Sequence, residues 1–277
     1  MALIDMHTHT TASDGLHSPS DNVRFAKEVG LSAIAITDHD TMAGVDEACS
    51  AGKNLGIIVI PGVELSTSIE GEEVHILGYG MDRHNEVWQK RLSHQQSVRE
   101  RRNEQLLLRL KALNMSITIE QIQAIAAVQG KVGSKGIGRP HIAEALVQSG
   151  YAASMSDAFE RWLGKGKPAY ISLERVHPFE AIQWIHEAGG AAVVAHPGIY
   201  HNDKFVEDIL AHGADGIEVD HPDHDRIDRT RYRAMAERYQ KRSTAGSDFH
   251  GTRHGIVFHG AIGSESVALH TIEDWIK

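Results

Sequence analysis

A single cysteine, Cys49, leaves this chain of 277 residues without an internal disulfide or a cysteine-built zinc site. No run approaches the roughly 18 apolar residues that a membrane helix needs. The opening "MALI" is broken at once by Asp5 and His7, so no signal-peptide pattern forms. These absences together predict a cytoplasmic protein with no membrane association. Positive charge is also scarce. Lys and Arg number 28 against 37 Asp and Glu, a net charge of -9, which excludes a broad nucleic-acid footprint and leaves no DNA-binding module evident. A phosphate ligand then needs metal ions or a local basic patch.

Histidine, by contrast, is abundant, with 19 in the chain. It is the commonest metal ligand and the usual proton carrier near neutral pH. Hydrophobic residues at 41% supply a core, and the length suits one α/β barrel with an insertion.

Strand and helix alternate at both ends of the chain. "ALIDM" predicts a strand and "SPSDNVRFAKEVG" a helix capped by Ser20 and ended by Gly30. "LSAIAITDHD" predicts a buried parallel strand, "TMAGVDEACSAGKNLG" a helix, "IIVIPGVELS" a strand and "EGEEVHILGYG" a hairpin partner. Between residues 85 and 167 the strand signal vanishes and helices follow one another. Alternation resumes through "AAVVAHP", "ADGIEVDHP" and "STAGSDFHG". The reading is an α/β barrel over 1–84 and 168–277, with a helical insertion over 85–167 acting as lid or substrate subdomain.

Candidate donors fall at strand ends, which form the active-site face of an α/β barrel. They are His7, His9, Asp38, His39, Glu64, His75, His196, Asp248 and His250, with Asp14 in a turn beside Gly15. His7 and His9, two apart on a strand, share a face. Without Asp38, nine residues remain as ligands, more than one ion needs, so two or three divalent ions are expected. Mixed histidine and carboxylate shells suit Mn, Zn or Fe. Clustered ions favour phosphate-ester hydrolysis. His17, His84, His94, His259 and His270 read as surface or structural residues, and "SVRERRNE" as the charged face of a solvated helix in preference to a grip on RNA phosphates. Asp220, His221 and His224 stay open.

"HTHTTASDG", "ITDHD", "PGVELS", "VHILGYG", "AHPG" and "GSDFH" resemble, in order, the motifs of the PHP (polymerase and histidinol phosphatase) family. The insertion, with "GRPHIAEALVQSG" and "GKGKPAYIS", resembles a subgroup of nucleoside 3',5'-bisphosphate phosphatases and 5'-3' exoribonucleases. The resemblance implies a distorted (β/α)7 barrel with a trinuclear centre. It implies a first ion on His7, His9, Glu64 and Asp248, a second on Glu64, His75 and His196, and a third on Asp14, His39 and His250. Asp14, His39, Glu64, His196 and Asp248 are the expected catalytic residues. Lys135, Arg139, His141 and Lys167 are expected to hold a substrate phosphate, Arg139 by its bidentate fork. The expected substrates are nucleotides or short RNA. The rivals are a small-metabolite phosphatase, such as one for histidinol phosphate, and a metal-stabilised nucleotide-binding module without turnover. One departure stands out: Ile199 follows "HPG" where the subgroup often carries a basic residue, so substrate preference is expected to shift.

Overall fold

The computed structural model describes residues 2–128, 137–253 and 255–275. Lys135 lies outside them. An eight-stranded sheet is ordered β10-β1-β2-β3-β4-β5-β6-β7. Its strands are β1 (Leu3–Asp5), β2 (Ala33–Ile36), β3 (Ile58–Ile69), β4 (Glu72–Tyr79), β5 (Ala191–Val194), β6 (Gly216–Asp220), β7 (Arg242–Ala245) and β10 (Val267–Ala268). A separate hairpin joins β8 (Thr252–Arg253) to β9 (Ile256–Val257). β2, parallel to both its neighbours, and β5, parallel to β6, are short apolar strands buried along their whole length, as strands covered on both faces must be.

The sheet curls until its ends meet. Met6 N–H donates to Ala245 O at 3.1 Å and His9 N–H to Phe249 O at 2.9 Å. The first and last barrel strands therefore close over the same end. β3 and β4 form the hairpin read from "EGEEVHILGYG", so β4 runs antiparallel to both β3 and β5. This reversal distorts the barrel and brings the first half of β4, not its C-terminal end, to the mouth.

Helices α1 (Pro19–Glu28), α2 (Val45–Leu55), α7 (Pro178–Glu187), α8 (Asp203–His212) and α9 (Arg226–Tyr239) belong to the alternating halves of the chain. Ser18, not Ser20, caps α1: its side chain accepts Asp21 N–H at 3.1 Å, and Pro19 takes the first helical position. Proline is preorganised there and would have no N–H to lose. Gly30, at φ +84°, follows the helix in the left-handed conformation that glycine adopts without strain.

Between β4 and α7 stand α3 (Glu86–Ala112), α4 (Ile119–Val128), α5 (Arg139–Gln148) and α6 (Met155–Ala158), the last continued by a π turn at Phe159–Leu163. Leu106, Leu110, Ile122, Ile142, Leu146 and Leu163 build a hydrophobic cluster drawn from this segment. Each buried leucine or isoleucine contributes about 1.5–3 kcal/mol. The buried stripe of α3 changes character along its length. Trp88 and Leu92 are apolar, then Gln95, Arg99, Arg102 and Asn103 are buried polar residues, then Leu106 and Leu110 are apolar again.

Candidate metal centre and its arginine flank

The structure brings all nine predicted ligands to one end of the barrel. Glu64 is the hub. Its Oε2 lies 2.9 Å from His39 Nδ1, 3.2 Å from His9 Nε2 and 3.6 Å from His7 Nε2. Its Oε1 lies 2.7 Å from His75 Nδ1 and 3.0 Å from His196 Nε2. Asp248 Oδ1 meets His9 Nε2 at 3.1 Å and His7 Nε2 at 3.3 Å. His9, Asp14, His39 and His250 form a further group, with His250 Nε2 3.3 Å from Asp14 Oδ1.

These groups fit cations. His7 Nδ1 faces the Glu218 carboxylate at 3.1 Å, which can only accept, so Nδ1 carries the hydrogen. His7 Nε2 then points at His9 Nε2, 3.2 Å away. His250 Nδ1 donates to Asp248 O at 2.8 Å, leaving Nε2 for Asp14. Tyr200 Oη donates to Ala195 O at 2.7 Å and so can accept from His196 Nδ1 at 3.3 Å, leaving Nε2 for Glu64. Ring lone pairs aimed at carboxylate oxygens repel unless a cation stands between them. Protons can play that part. Burial alone would lower His9, yet Asp248 and Glu64 push it up to about 10. His39 and His196 are pushed down to about 4, chiefly by burial, and so stay neutral ligands at neutral pH.

The backbone is shaped around these side chains. A Cβ on Gly15 would sit 2.4 Å from His9 O, so only glycine lets the turn bring Asp14 over the strand end. Asp38 fixes the same turn, accepting Thr10 N–H at 2.8 Å and the Ser13 hydroxyl at 2.5 Å. Asp40, His196 and Asp248 adopt φ of +55°, +23° and +50°. Such strain costs about 1–3 kcal/mol per residue and collects at functional sites. Glu218 sits where β6 slips register against β7, an irregularity that re-aims a side chain.

The model of the PHP domain matches residues 5–173. The chain belongs to the PHP family. A 5'-3' exoribonuclease from Haemophilus influenzae is 36% identical, over 89% of this chain and 89% of its own length. A 3',5'-nucleoside bisphosphate phosphatase from Chromobacterium violaceum is 34% identical, over 92% of this chain and 90% of its own. A solved chain from Bifidobacterium adolescentis, assigned as a metal-dependent phosphoesterase, shares the fold at a TM-score of 0.88 and 33% identity, covering 98% of this chain and 94% of that one. This PHP protein is a phosphoester hydrolase, and the family's need for divalent metal agrees with its clustered donors.

Beside the PHP centre lies an arginine flank that the sequence reading largely missed. Glu73 links the two. Its Oε1 is 3.5 Å from His75 Nε2 and 3.4 Å from Arg175 Nη2, and its Oε2 is 2.5 Å from Arg139 Nη2. Arg99 pairs with Asp40 at 3.0 Å and donates to Ser66 Oγ at 2.9 Å. Arg102 is buried, with Asn103 Oδ1 at 2.9 Å as its hydrogen-bond acceptor. Burial first, then Arg139, Arg175 and Arg99, pull Arg102 well below the usual guanidinium range. "SVRERRNE" is thus not simply a solvated face: Arg99, Arg102 and Asn103 turn inward. Their spacing to Leu106 and Leu110 carries the helical signal that marks them.

The remaining predicted residues separate. Arg139 opens α5 at the flank. His141 is buried and its Nδ1 accepts Gly138 N–H at 3.0 Å, so it helps to cap α5. A Cβ on Gly138 would lie 2.8 Å from Asp14 Oδ2, which sets the start of α5 against the centre. Lys167 is exposed, while its neighbour Lys165 pairs with Glu72. Asp220 pairs with Arg233 at 3.0 Å. His224 is locked by Gly198 N–H onto Nε2 and by its own Nδ1–H to Val219 O, so neither nitrogen is available to a metal. His221 Nδ1 accepts Asp223 N–H, so its Nε2–H faces Asp248 Oδ2 at 3.5 Å. Glu218 went unread because it sits inside the apolar strand "GIEVD"; a lone carboxylate in such a strand was the available signal.

Proposed function

We propose that this enzyme hydrolyses phosphate esters of nucleotides, either 3',5'-bisphosphates or 5'-phosphorylated short RNA. The observation that carries the reading is the arginine flank. Four guanidinium groups, Arg99, Arg102, Arg139 and Arg175, gather beside the metal donors; Arg99, Arg139 and Arg175 pair with the carboxylates Asp40 and Glu73, while Arg102 bonds only the Asn103 amide oxygen among the described residues. A buried cation surrounded by like charge is costly until an anion joins it. A substrate phosphate is that anion, and arginine binds it with two parallel hydrogen bonds.

In this reading the terminal phosphate lies on the arginines and the scissile phosphate lies over Glu64. Two or three divalent ions, Mn, Zn or Fe, would be held by His7, His9, Glu64 and Asp248, by Glu64, His75 and His196, and by Asp14, His39 and His250. When bound, they supply an activated water and neutralise charge on the phosphoryl oxygens. Asp14, His39, Glu64, His196 and Asp248 fix the reacting groups. Residues 85–167 act as a lid, with α3 and α5 carrying arginines to the substrate. Holding both phosphates turns the attack into an oriented, effectively intramolecular event. With Ile199 in place of a basic residue, the rim after His196 gives one fewer phosphate contact.

The test is a side-by-side turnover assay with added Mn on adenosine 3',5'-bisphosphate, a 5'-phosphorylated RNA pentamer and histidinol phosphate. Free phosphate and released nucleotides are both followed. Turnover of the bisphosphate or the RNA, well above histidinol phosphate, is expected. Preference for histidinol phosphate overturns the reading. Nucleotide binding without turnover of any substrate leaves a binding module instead.

A further inference from the structure

The ring tautomers sort the remaining histidines without reference to any ion. His221 and His224 are fixed by backbone partners so that neither offers a free lone pair to a carboxylate. His141 and His177 spend Nδ1 accepting backbone N–H groups of Gly138 and Phe179. His259 differs from all four. Its Nδ1 lies 2.7 Å from Asp223 Oδ2, a carboxylate that can only accept, so Nδ1 carries the hydrogen. Its Nε2 is left facing Asp248 Oδ2 at 3.5 Å. That separation is close to the 3.3 Å between His7 Nε2 and Asp248 Oδ1, two ligands of the centre.

The backbone is bent to achieve this. His259 takes φ +58°, a conformation rare for a residue with a Cβ. Its neighbours clamp it: Phe258 N–H donates to Gly251 O at 3.1 Å and Gly260 N–H to Ser247 O at 2.9 Å. A Cβ on Gly260 would meet Pro222 Cγ at 2.6 Å, so the loop is packed tightly against the turn that carries Asp223. The His259 side chain remains 25% exposed, open to the mouth. An imidazole oriented from behind by a carboxylate, with its other nitrogen beside a ligand oxygen, is the arrangement of a metal-bound histidine.

We propose that His259 is a tenth metal ligand of this enzyme, binding an ion on the Oδ2 side of Asp248, with Asp223 as its orienting carboxylate. Asp248 then uses both oxygens: Oδ1 toward His7 and His9, and Oδ2 toward His259. The inference rests on the metal centre and not on the identity of the substrate.

The experiment is zinc binding by the full-length chain. Zn content and affinity are measured for the wild type, His259→Ala, Asp223→Asn and the exposed control His84→Ala, with circular dichroism to confirm folding. In His259→Ala, a loss of one ion per chain or a roughly 10–100-fold weaker affinity is expected, with a smaller loss in Asp223→Asn and none in His84→Ala. Unchanged content and affinity in a folded His259→Ala overturns the proposal and leaves His259 as an ion-pair partner of Asp223 and Asp248. If that variant does not fold, anomalous scattering from zinc-loaded wild-type crystals decides. An ion about 2.1 Å from His259 Nε2 supports the assignment, and bound ions with none at that nitrogen overturn it. Either result leaves the nucleotide reading to its own turnover assay.

Discussion

Glu218 and His7, both fully buried, meet at 3.1 Å behind the metal centre, and Glu218 Oε2 also accepts His196 N–H at 2.8 Å. One carboxylate therefore sets the tautomer of one candidate ligand and the backbone position of another. Glu218→Gln keeps the shape but loses the charge. Metal affinity is expected to fall by about 10–100-fold, read by calorimetric titration of the metal-free protein. Unchanged affinity would show that Glu218 only fills space.

Arg102→Met removes a buried guanidinium while roughly keeping its volume. A charge-assisted hydrogen bond to phosphate contributes about 1.5–3 kcal/mol. The expected loss in kcat/KM is thus about 10–100-fold for 5'-phosphorylated substrates, with little change for RNA lacking the 5'-phosphate. Melting temperature is expected to hold or rise, since Arg139, Arg175 and Arg99 crowd Arg102 with like charge. An equal loss on both substrates would argue against a terminal-phosphate site.

Metal loading should release protons. Burial lowers His75 and His9, but Glu64, aided by Glu73 for His75 and Asp248 for His9, outweighs it and lifts them to about 9 and about 10. Both values exceed the unfolded value near 6.5. The metal-free fold therefore binds extra protons between pH 6.5 and about 10. The stability they contribute is complete below 6.5 and lost as pH rises through 9 to 10. His39 and His196, lowered to about 4, act in the opposite sense but only between about 4 and 6.5. Metal-free protein is expected to lose melting temperature from pH 7 to 10, and metal to restore it with proton release at pH 8. Calorimetry in two buffers of different ionisation enthalpy measures that release. Identical apparent enthalpies in the two would refute the coupling.

Gly15→Ala places a methyl 2.4 Å from His9 O. The turn must open, moving Asp14 away from His39 and His250. Stability is expected to drop by about 2 kcal/mol or more, with weaker metal binding, checked by thermal melts and metal titration. A wild-type melting curve would mean that the turn has slack.

Most of the candidate metal donors are legible because they sit in short polar bursts after apolar runs, as His7 and His9 do after "ALIDM". His75 was found without its setting, since only the β3–β4 pairing reveals that its strand runs backwards into the mouth. The arginine flank was obscured by its neighbours. Arg99 and Arg102 face inward while Arg101 and Glu104 on the same helix are exposed, and a charge run reads as solvated until its burial is known. Asp223 and His259 lie 36 positions apart, and only the packing of their two loops makes them partners. Ser18 outcompeted Ser20 because Pro19 requires the first helical position.

Closure of the barrel through His9 and Phe249 joins the two ends of the chain at the metal centre. A ribosome releasing this protein has made His7 and His9 long before Asp248 and His250. The early histidines, already beside Glu64, wait for almost the whole chain before Asp248 arrives on β7's trailing loop. The full set of nine donors is therefore complete only late in the life of each molecule, and a chain truncated before Asp248 lacks two of them however well its first strands form.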